Sequence, residues 1–340
     1  MSFSAFILSY CLNLVFIIFA RRSNLFLDDR VKPQKIHDGA VPRIGGVGIF
    51  LASLVIASNP LGKKVILAAF PAFFVGFLED LMGDISPKIR LMVIMFSAAL
   101  GVHLLGVAVN DLEFFSVPIF LSVPLTLLLV TGVTNAVNII DGLNGLASGF
   151  CLIALASFGV VAYSLGDNDL MFIFPRLALA VMGFFVLNFP KGQIFLGDSG
   201  AYFLGFVTVL LGLLLIDRNA GVSKFFPLLI MFYPIWEVLF SIYRRRIIKQ
   251  AHATSADKLH LHTLLYKRTS LGNPGASLVL LFFVGVISVF SVALADRSIP
   301  QIIGIVLFVI AYRVGYQILV SFKIKTKTEK IIPINLSGRQ

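Results

Sequence analysis

The chain has 340 residues and a mass of 37.2 kDa; 58% of it is hydrophobic and only 13% charged, roughly half the charge of an average soluble domain. With 33 Phe and a mean hydropathy of +0.95, it carries more apolar surface than a soluble core can hide, which excludes soluble enzymes, disordered chains, coiled coils and disulfide scaffolds. The net charge of +11 is read as basic loops facing anionic lipid, not as a nucleic-acid surface.

The apolar runs are long and continuous, without the alternation of an outer-membrane barrel, so an all-α, polytopic membrane fold is expected. Windows of about 20 residues give eleven expected spans. They cover roughly 3–20, 44–58, 64–78, 90–109, 115–134, 143–164, 170–189, 199–216, 223–243, 275–294 and 299–320. The first has no charged leader and no small-residue cleavage site, so it is kept as a span. Cys11 and Cys151 both fall in apolar runs and suggest neither a disulfide nor a metal site.

Most of the 28 Lys and Arg residues collect in the 21–43 loop, the 244–274 loop and the tail after residue 321. The positive-inside bias then sets the N-terminus outside and the C-terminus in the cytoplasm. One transmembrane catalytic domain, 1–321, is expected, with a cytoplasmic loop at 244–274 and a basic tail at 322–340.

Five polar clusters fall on the expected inner face. The first runs from Asp29 to Gly46 through Lys35, His37, Gly39, Pro42 and Arg43, glycines beside basic residues, which suits close backbone approach to a ligand or a plain basic loop. In the second, Glu79 and Asp80 end the third span; adjacent acids at a membrane boundary are either used or paired with Lys88 or Arg90. The third holds Asn138, Asp141 and Asn144, three apart, which on a helix share a face. In the fourth, Gly197-Asp198-Ser199-Gly200 opens the eighth span, where Asp198 could hold Mg²⁺, or Asp198 or Ser199 could cap the helix. The fifth joins Arg244, Arg245 and Arg246 to His252, Asp257, His260 and His262. Zinc is not expected there: no cysteine is near, and His260 and His262, two apart, fall on opposite sides of a helix. Guanidinium groups facing phosphate fit better.

No phosphate-binding G-x-x-x-x-G-K-[ST] loop occurs, so ATP-driven transport is unsupported. Carboxylates, cations and a hard-metal site beside lipid point to phosphoryl transfer to a lipid-borne acceptor.

In this order the clusters resemble the polyprenyl-phosphate N-acetylhexosamine-1-phosphate transferases, which include WecA-like enzymes and MraY-like translocases. The resemblance runs from about 29 to 264. The basic loop is matched at Asp29, Lys35, His37, Gly39, Pro42, Gly45 and Gly46, with Val31 where a proline is expected. Glu79 stands for the first Asp of the family's paired acids, followed by Asp80. Asn138, Asp141, Gly142, Gly145, Leu146 and Ala147 match the next motif, with Asn144 in place of its second Asp. Phe195, Gly197, Asp198, Ser199 and Gly200 match the fourth; Pro234, Glu237, Arg244 and Arg245 match a fifth; Asp257, His260 and His262 match the His-rich loop. The H-H-x-E signature of the peptidoglycan branch is absent.

The resemblance implies transfer of N-acetylhexosamine 1-phosphate from a UDP-sugar, with GlcNAc the first choice, to undecaprenyl phosphate, releasing UMP. It implies Mg²⁺, with Mn²⁺ as a substitute, on Asp198 with Asp141. Asp80 with Glu79 would handle the lipid phosphate as base or orienting group. Asn138 and Asp141 would surround the pyrophosphate and the metal. Phe195 would stack on uracil near Lys35 and Asn144; His37, Arg244, Arg245, His252, Asp257, His260 and His262 would bind the sugar nucleotide. The implied location is the bacterial inner membrane, with the site facing the cytoplasm; oligomeric state is left open. The competing reading is a secondary transporter or flippase for an anionic or lipid-linked solute, with Glu237 and Arg313 as intramembrane charges.

Overall fold

The computed structural model describes residues 3–23, 26, 41–248 and 259–321. Thirteen α-helices are found among them and no strand: α1 (Ser4–Ser23), α2 (Gly45–Ser53), α3 (Pro60–Met82), α4 (Pro87–Leu105), α5 (Ile119–Ile140), α6 (Leu146–Leu165), α7 (Asn168–Asn188), α8 (Gly197–Arg218), α9 (Phe225–Ile230), α10 (Phe232–Tyr243), α11 (Leu261–Arg268), α12 (Gly272–Ala293) and α13 (Ser298–Ser321). Among the described residues nine of these are long and apolar enough to cross a membrane. Each of the nine coincides with an expected span, and the fold is that of a polytopic, all-helical membrane protein.

The other two expected spans are interrupted. The one at 44–58 is α2 followed by a tight 3₁₀ turn over Leu54–Ser58, which ends at Asn59. Asn59 then caps α3, accepting from the Leu61 and Gly62 amides at 2.8 and 3.2 Å, with Pro60 in the first turn. The span at 223–243 breaks at Met231 between α9 and α10. Pro234 explains the break: it has no N–H to give the carbonyl of Ile230, and its ring crowds that carbonyl.

α8 is buried along nearly its whole length and forms the axis of the bundle, with α2, α3, α5 and α6 around it. A helix apolar on every side belongs in such a place. Outer helices show the opposite pattern: Ile119, Phe282 and Val289 are 81%, 75% and 73% exposed, as suits side chains that face lipid.

At one end of the bundle Asp167 and Asp169 pair with Arg218 at 2.8 and 3.1 Å, and Glu113 accepts from the Lys224 amide and the Ser298 hydroxyl. At the other end α2, α6 and α8 begin, and α3 and α5 finish. There the backbones nearly touch. A Cβ on Gly46 would lie 2.1 Å from the Gly200 nitrogen, and one on Gly76 would lie 2.5 Å from the Asp198 carbonyl oxygen. Only glycine allows α2 and α3 to come this close to the first turn of α8.

Candidate functional site

The first turn of α8 is the centre of the site. Gly197 opens it with φ +76, where a side chain would be strained and its Cβ would strike the Asp80 carboxylate at 2.5 Å. Neither Asp198 nor Ser199 caps the helix, which corrects the expectation from sequence. The cap comes from α3. Asp80 Oδ1 accepts from the Asp198 amide at 2.8 Å, and Oδ2 accepts from the Ser199 amide and hydroxyl at 2.9 and 2.6 Å. An acid at a helix N-terminus satisfies orphan amides and complements the helix dipole. The Asp80 side chain is 1% exposed, and both its oxygens are engaged by the first turn of α8.

With its backbone held this way, Asp198 turns its carboxylate to the neighbouring helices. Arg43 donates to Oδ1 at 2.6 Å, Arg90 to Oδ2 at 2.9 Å and Asn138 to Oδ1 at 3.0 Å. Arg43 also lies 3.3 Å from Asp80, and Arg90 lies 3.7 Å from Glu79 and donates to the Tyr202 hydroxyl at 3.3 Å. Glu79 further accepts the Ile85 amide at 2.9 Å, which ties down the turn after α3. Arg90 was an expected partner of the paired acids; its bond to Asp198 was not foreseen.

Asn138, Asp141 and Asn144 do not share a helical face. α5 ends at Ile140, and Asp141 is its C-cap with ψ 53. Asp141 stays at the site, half-buried, and its carboxylate accepts no hydrogen bond among the described residues. Burial pushes this carboxyl up to about 7; Arg43 opposes the shift, and the charges of Asp198 and Asp80 add to it. Asn144 turns away, donating to the Pro190 carbonyl at 2.9 Å while its amide donates to Asn273 at 2.8 Å. These two bonds tie it to the turn at Pro190 and to the start of α12. Phe195 is half-buried and bridges by backbone to the 42–45 strand-like segment, with the Gly45 amide donating to its carbonyl at 3.0 Å.

Arg244 is 5% exposed and donates to the Tyr316 hydroxyl at 2.6 Å and the Leu259 carbonyl at 3.0 Å, which ties the residue just before His260 to α13. Arg245 donates to the Ser241 carbonyl at 3.4 Å. His260 and His262 do not oppose each other: His260 precedes α11 in extended backbone, so the two rings stack at 5.4 Å with a 5° interplanar angle. His262 lies against Gly142, where a Cβ would be 2.8 Å from its Nε2. Lys35, His37, His252 and Asp257 lie outside the described residues.

Burial pushes His262 down to about 4 from an ordinary 6.5, against the Glu237 carboxylate, with His260 adding to the fall. Its ring is thus neutral in the fold, and between pH 6.5 and 4 the unfolded chain binds a proton that the folded chain does not. Stability is therefore full above pH 6.5 and declines as pH falls toward 4, by on the order of 3 kcal/mol. Melting curves of wild type and His262→Gln in detergent check this: the variant's melting temperature should depend less on pH across that window. Parallel curves would contradict it.

Among the described residues, no three acidic, His or Cys side chains converge as a ready metal cage. The donor set nevertheless suits a hard divalent cation that takes one or two carboxylates and fills the rest with phosphate and water. Among the described residues four acids (Glu79, Asp80, Asp141, Asp198) face two guanidinium groups (Arg43, Arg90), and the Asp141 carboxylate accepts from none of them.

Residues 63–216 match the family described as Glycosyl transferase family 4. They contain Glu79, Asp80, Arg90, Asn138, Asp141 and Asp198. The chain is 30% identical over 302 residues to the "Probable undecaprenyl-phosphate N-acetylglucosaminyl 1-phosphate transferase" of Bacillus subtilis, covering 84% of this chain and 82% of that protein. It is 30% identical over 270 residues to the "Undecaprenyl-phosphate alpha-N-acetylglucosaminyl 1-phosphate transferase" of Thermotoga maritima, covering 77% and 80%. It is also 28% identical over 229 residues to a "Phospho-N-acetylmuramoyl-pentapeptide-transferase" of Streptococcus pneumoniae, covering 60% and 70%. Given motifs in family order, gathered by the fold around the start of α8, and relatives matched over most of their length, the chain belongs to the polyprenyl-phosphate N-acetylhexosamine-1-phosphate transferase family.

Proposed function

We propose that the protein transfers GlcNAc 1-phosphate from UDP-GlcNAc to undecaprenyl phosphate at the cytoplasmic face of a bacterial inner membrane, releasing UMP and starting a lipid-linked polysaccharide. The observation that carries this is the convergence of Asp198, Asp141, Asn138, Arg43 and Arg90 at one end of a lipid-embedded bundle. The names of the relatives supply the substrate classes.

In this reaction an oxygen of the lipid phosphate attacks the β-phosphorus of the UDP-sugar. A new phosphoanhydride forms as the bond to the α-phosphate breaks, and UMP leaves with the electron pair. One anhydride replaces another, so no ATP is required. A phosphate monoester is largely dianionic near pH 7, with a second pKa of about 6, so the attacking group needs little help from a base. This agrees with an Asp80 carboxylate committed to capping α8. The harder task is to bring two anions together, and Arg43 and Arg90 offset that repulsion at the mouth of the site. Asp198 and Asp141 would hold Mg²⁺, with Asn138 beside them, and the bound ion would neutralise charge on the phosphates. Arg43 and Arg90, already on Asp198, keep its carboxylate oriented toward the other helices.

Membranes containing the protein, incubated with radiolabelled UDP-GlcNAc and undecaprenyl phosphate, test the reading. Mg²⁺-dependent label in the lipid phase is expected. Uptake of label without a new lipid would favour a transporter. Sidedness is tested separately, with a cysteine at Ser255 in a chain whose Cys11 and Cys151 are serine. An impermeant reagent should leave it unlabelled in intact cells; rapid labelling would place the 244–274 loop outside.

A further inference from the structure

Glu237 lies in α10 with 1% of its surface exposed, and a carboxylate at that depth persists only where its oxygens are engaged. Both are. Oε1 accepts from the Leu261 amide at 2.9 Å and lies 2.9 Å from His260 Nδ1; Oε2 accepts from the Tyr312 hydroxyl at 2.9 Å. Three helices, α10, α11 and α13, thus meet on one carboxylate.

Each bond has a consequence. Leu261 is the first residue of α11, and His260 before it provides no side-chain cap. Glu237 therefore supplies the acid that satisfies this helix start, as Asp80 does for α8. Donation from His260 Nδ1 to a carboxylate sets the ring's tautomer and orientation, which leaves Nε2 as the nitrogen that can meet a ligand. The His262 ring stacks on His260 and rests on Gly142, next to Asp141. A displacement at Glu237 would pass through the histidine pair to the turn that carries Asp141.

We propose that Glu237 is a positioning residue for the sugar-nucleotide half of the transfer: it docks α11, orients His260 and seats His262 against the Asp141–Gly142 turn, with Tyr312 of α13 as its brace. The inference rests on the function proposed above. It also gives α13 a part in the site, although that helix lies outside the matched family segment at 63–216. A carboxylate with both oxygens bound to protein is poorly suited to carry a solute or proton across the bilayer, which sets this role apart from the intramembrane-charge reading of Glu237.

The test uses the full chain in detergent and two readouts. The first, amide hydrogen exchange over 259–268, needs no substrate. Glu237→Ala should speed it about tenfold or more while the long spans keep their protection. The second is kinetic. Glu237→Ala should raise KM for UDP-GlcNAc about tenfold, leave KM for undecaprenyl phosphate within about twofold and lower kcat less than it raises KM. Glu237→Gln, which keeps one acceptor oxygen, and Tyr312→Phe, which removes the brace, should give smaller changes in the same order. These mild variants keep the test open if Glu237→Ala does not fold. Unchanged exchange would overturn the docking role. Equal rises in both KM values, or a fall in kcat alone, would overturn the positioning role. If the wild type does not turn over UDP-GlcNAc, the functional reading fails by itself, and the exchange readout still decides whether Glu237 docks α11.

Discussion

Asp198→Asn is expected to fold and to lose transfer activity by roughly 10²-fold or more, the scale of removing an electrostatic contact at a transition state. The side chains have nearly the same volume, and the α8 cap is untouched because it comes from Asp80. One amide oxygen can still accept from Arg43 and Asn138. The other oxygen becomes an NH₂ facing the Arg90 Nη1 that now lies 2.9 Å away, so two donors oppose each other. That mismatch should lower stability by about 1–3 kcal/mol, which a marginally stable protein tolerates. The activity loss has a different source: a neutral ligand offsets much less of a divalent cation's charge. Raising Mg²⁺ or Mn²⁺ should recover part of the activity by mass action. Transfer rate against metal concentration, with melting temperature measured in the same detergent, checks both parts. Near-normal activity with an unchanged metal optimum would move the metal to Asp141 with some other partner.

Asp80→Ala should be more damaging to the fold. It removes the acceptor for two backbone amides and the Ser199 hydroxyl, and it takes away a carboxylate 3.3 Å from Arg43. Loss of a cap costs about 0.5–2 kcal/mol, and breaking a buried ion pair costs about 3–5 kcal/mol. Arg43 keeps Asp198, so a total near 3–4 kcal/mol is expected. Activity should fall about 10²-fold as well, since the first turn of α8 carries Asp198 and small misplacements of reacting groups are costly. Asp80→Asn keeps one acceptor and should fall between. The decisive comparison is melting temperature with kcat for both variants. A lost kcat with an unchanged melting temperature would restore Asp80 as a base and remove it as a cap.

The spans were legible because lipid forces apolar residues onto helices long enough to cross it, and nine of the expected windows became such helices. The break at Met231 was visible in principle, through Pro234, but a hydropathy window averages over one proline. Acids and glycines at the ends of spans marked the site. What they do there depends on contacts far apart in sequence. Asp80 caps a helix 118 residues away, Arg90 reaches Asp198 across 108 residues, and Tyr312 reaches Glu237 across 75. Spacing rules hold only where the helix continues. They misplaced Asn144 because α5 stops at Ile140, and they misplaced the histidines because α11 begins only after His260. The bond from Arg244 to Tyr316, 72 residues away on α13, was equally beyond the reach of spacing.

The central claim is that a phosphorus atom leaves a nucleotide and joins a lipid at the Asp198 site. Purified protein in detergent, given undecaprenyl phosphate, Mg²⁺ and UDP-GlcNAc labelled with ³²P at the β-phosphorus and ¹⁴C in the uracil, tests it in one reaction. The account predicts ³²P in the lipid phase and ¹⁴C as UMP in water, in equal amounts, with both lost in Asp198→Asn. ³²P staying in water, or ³²P and ¹⁴C entering the lipid phase together, would contradict it.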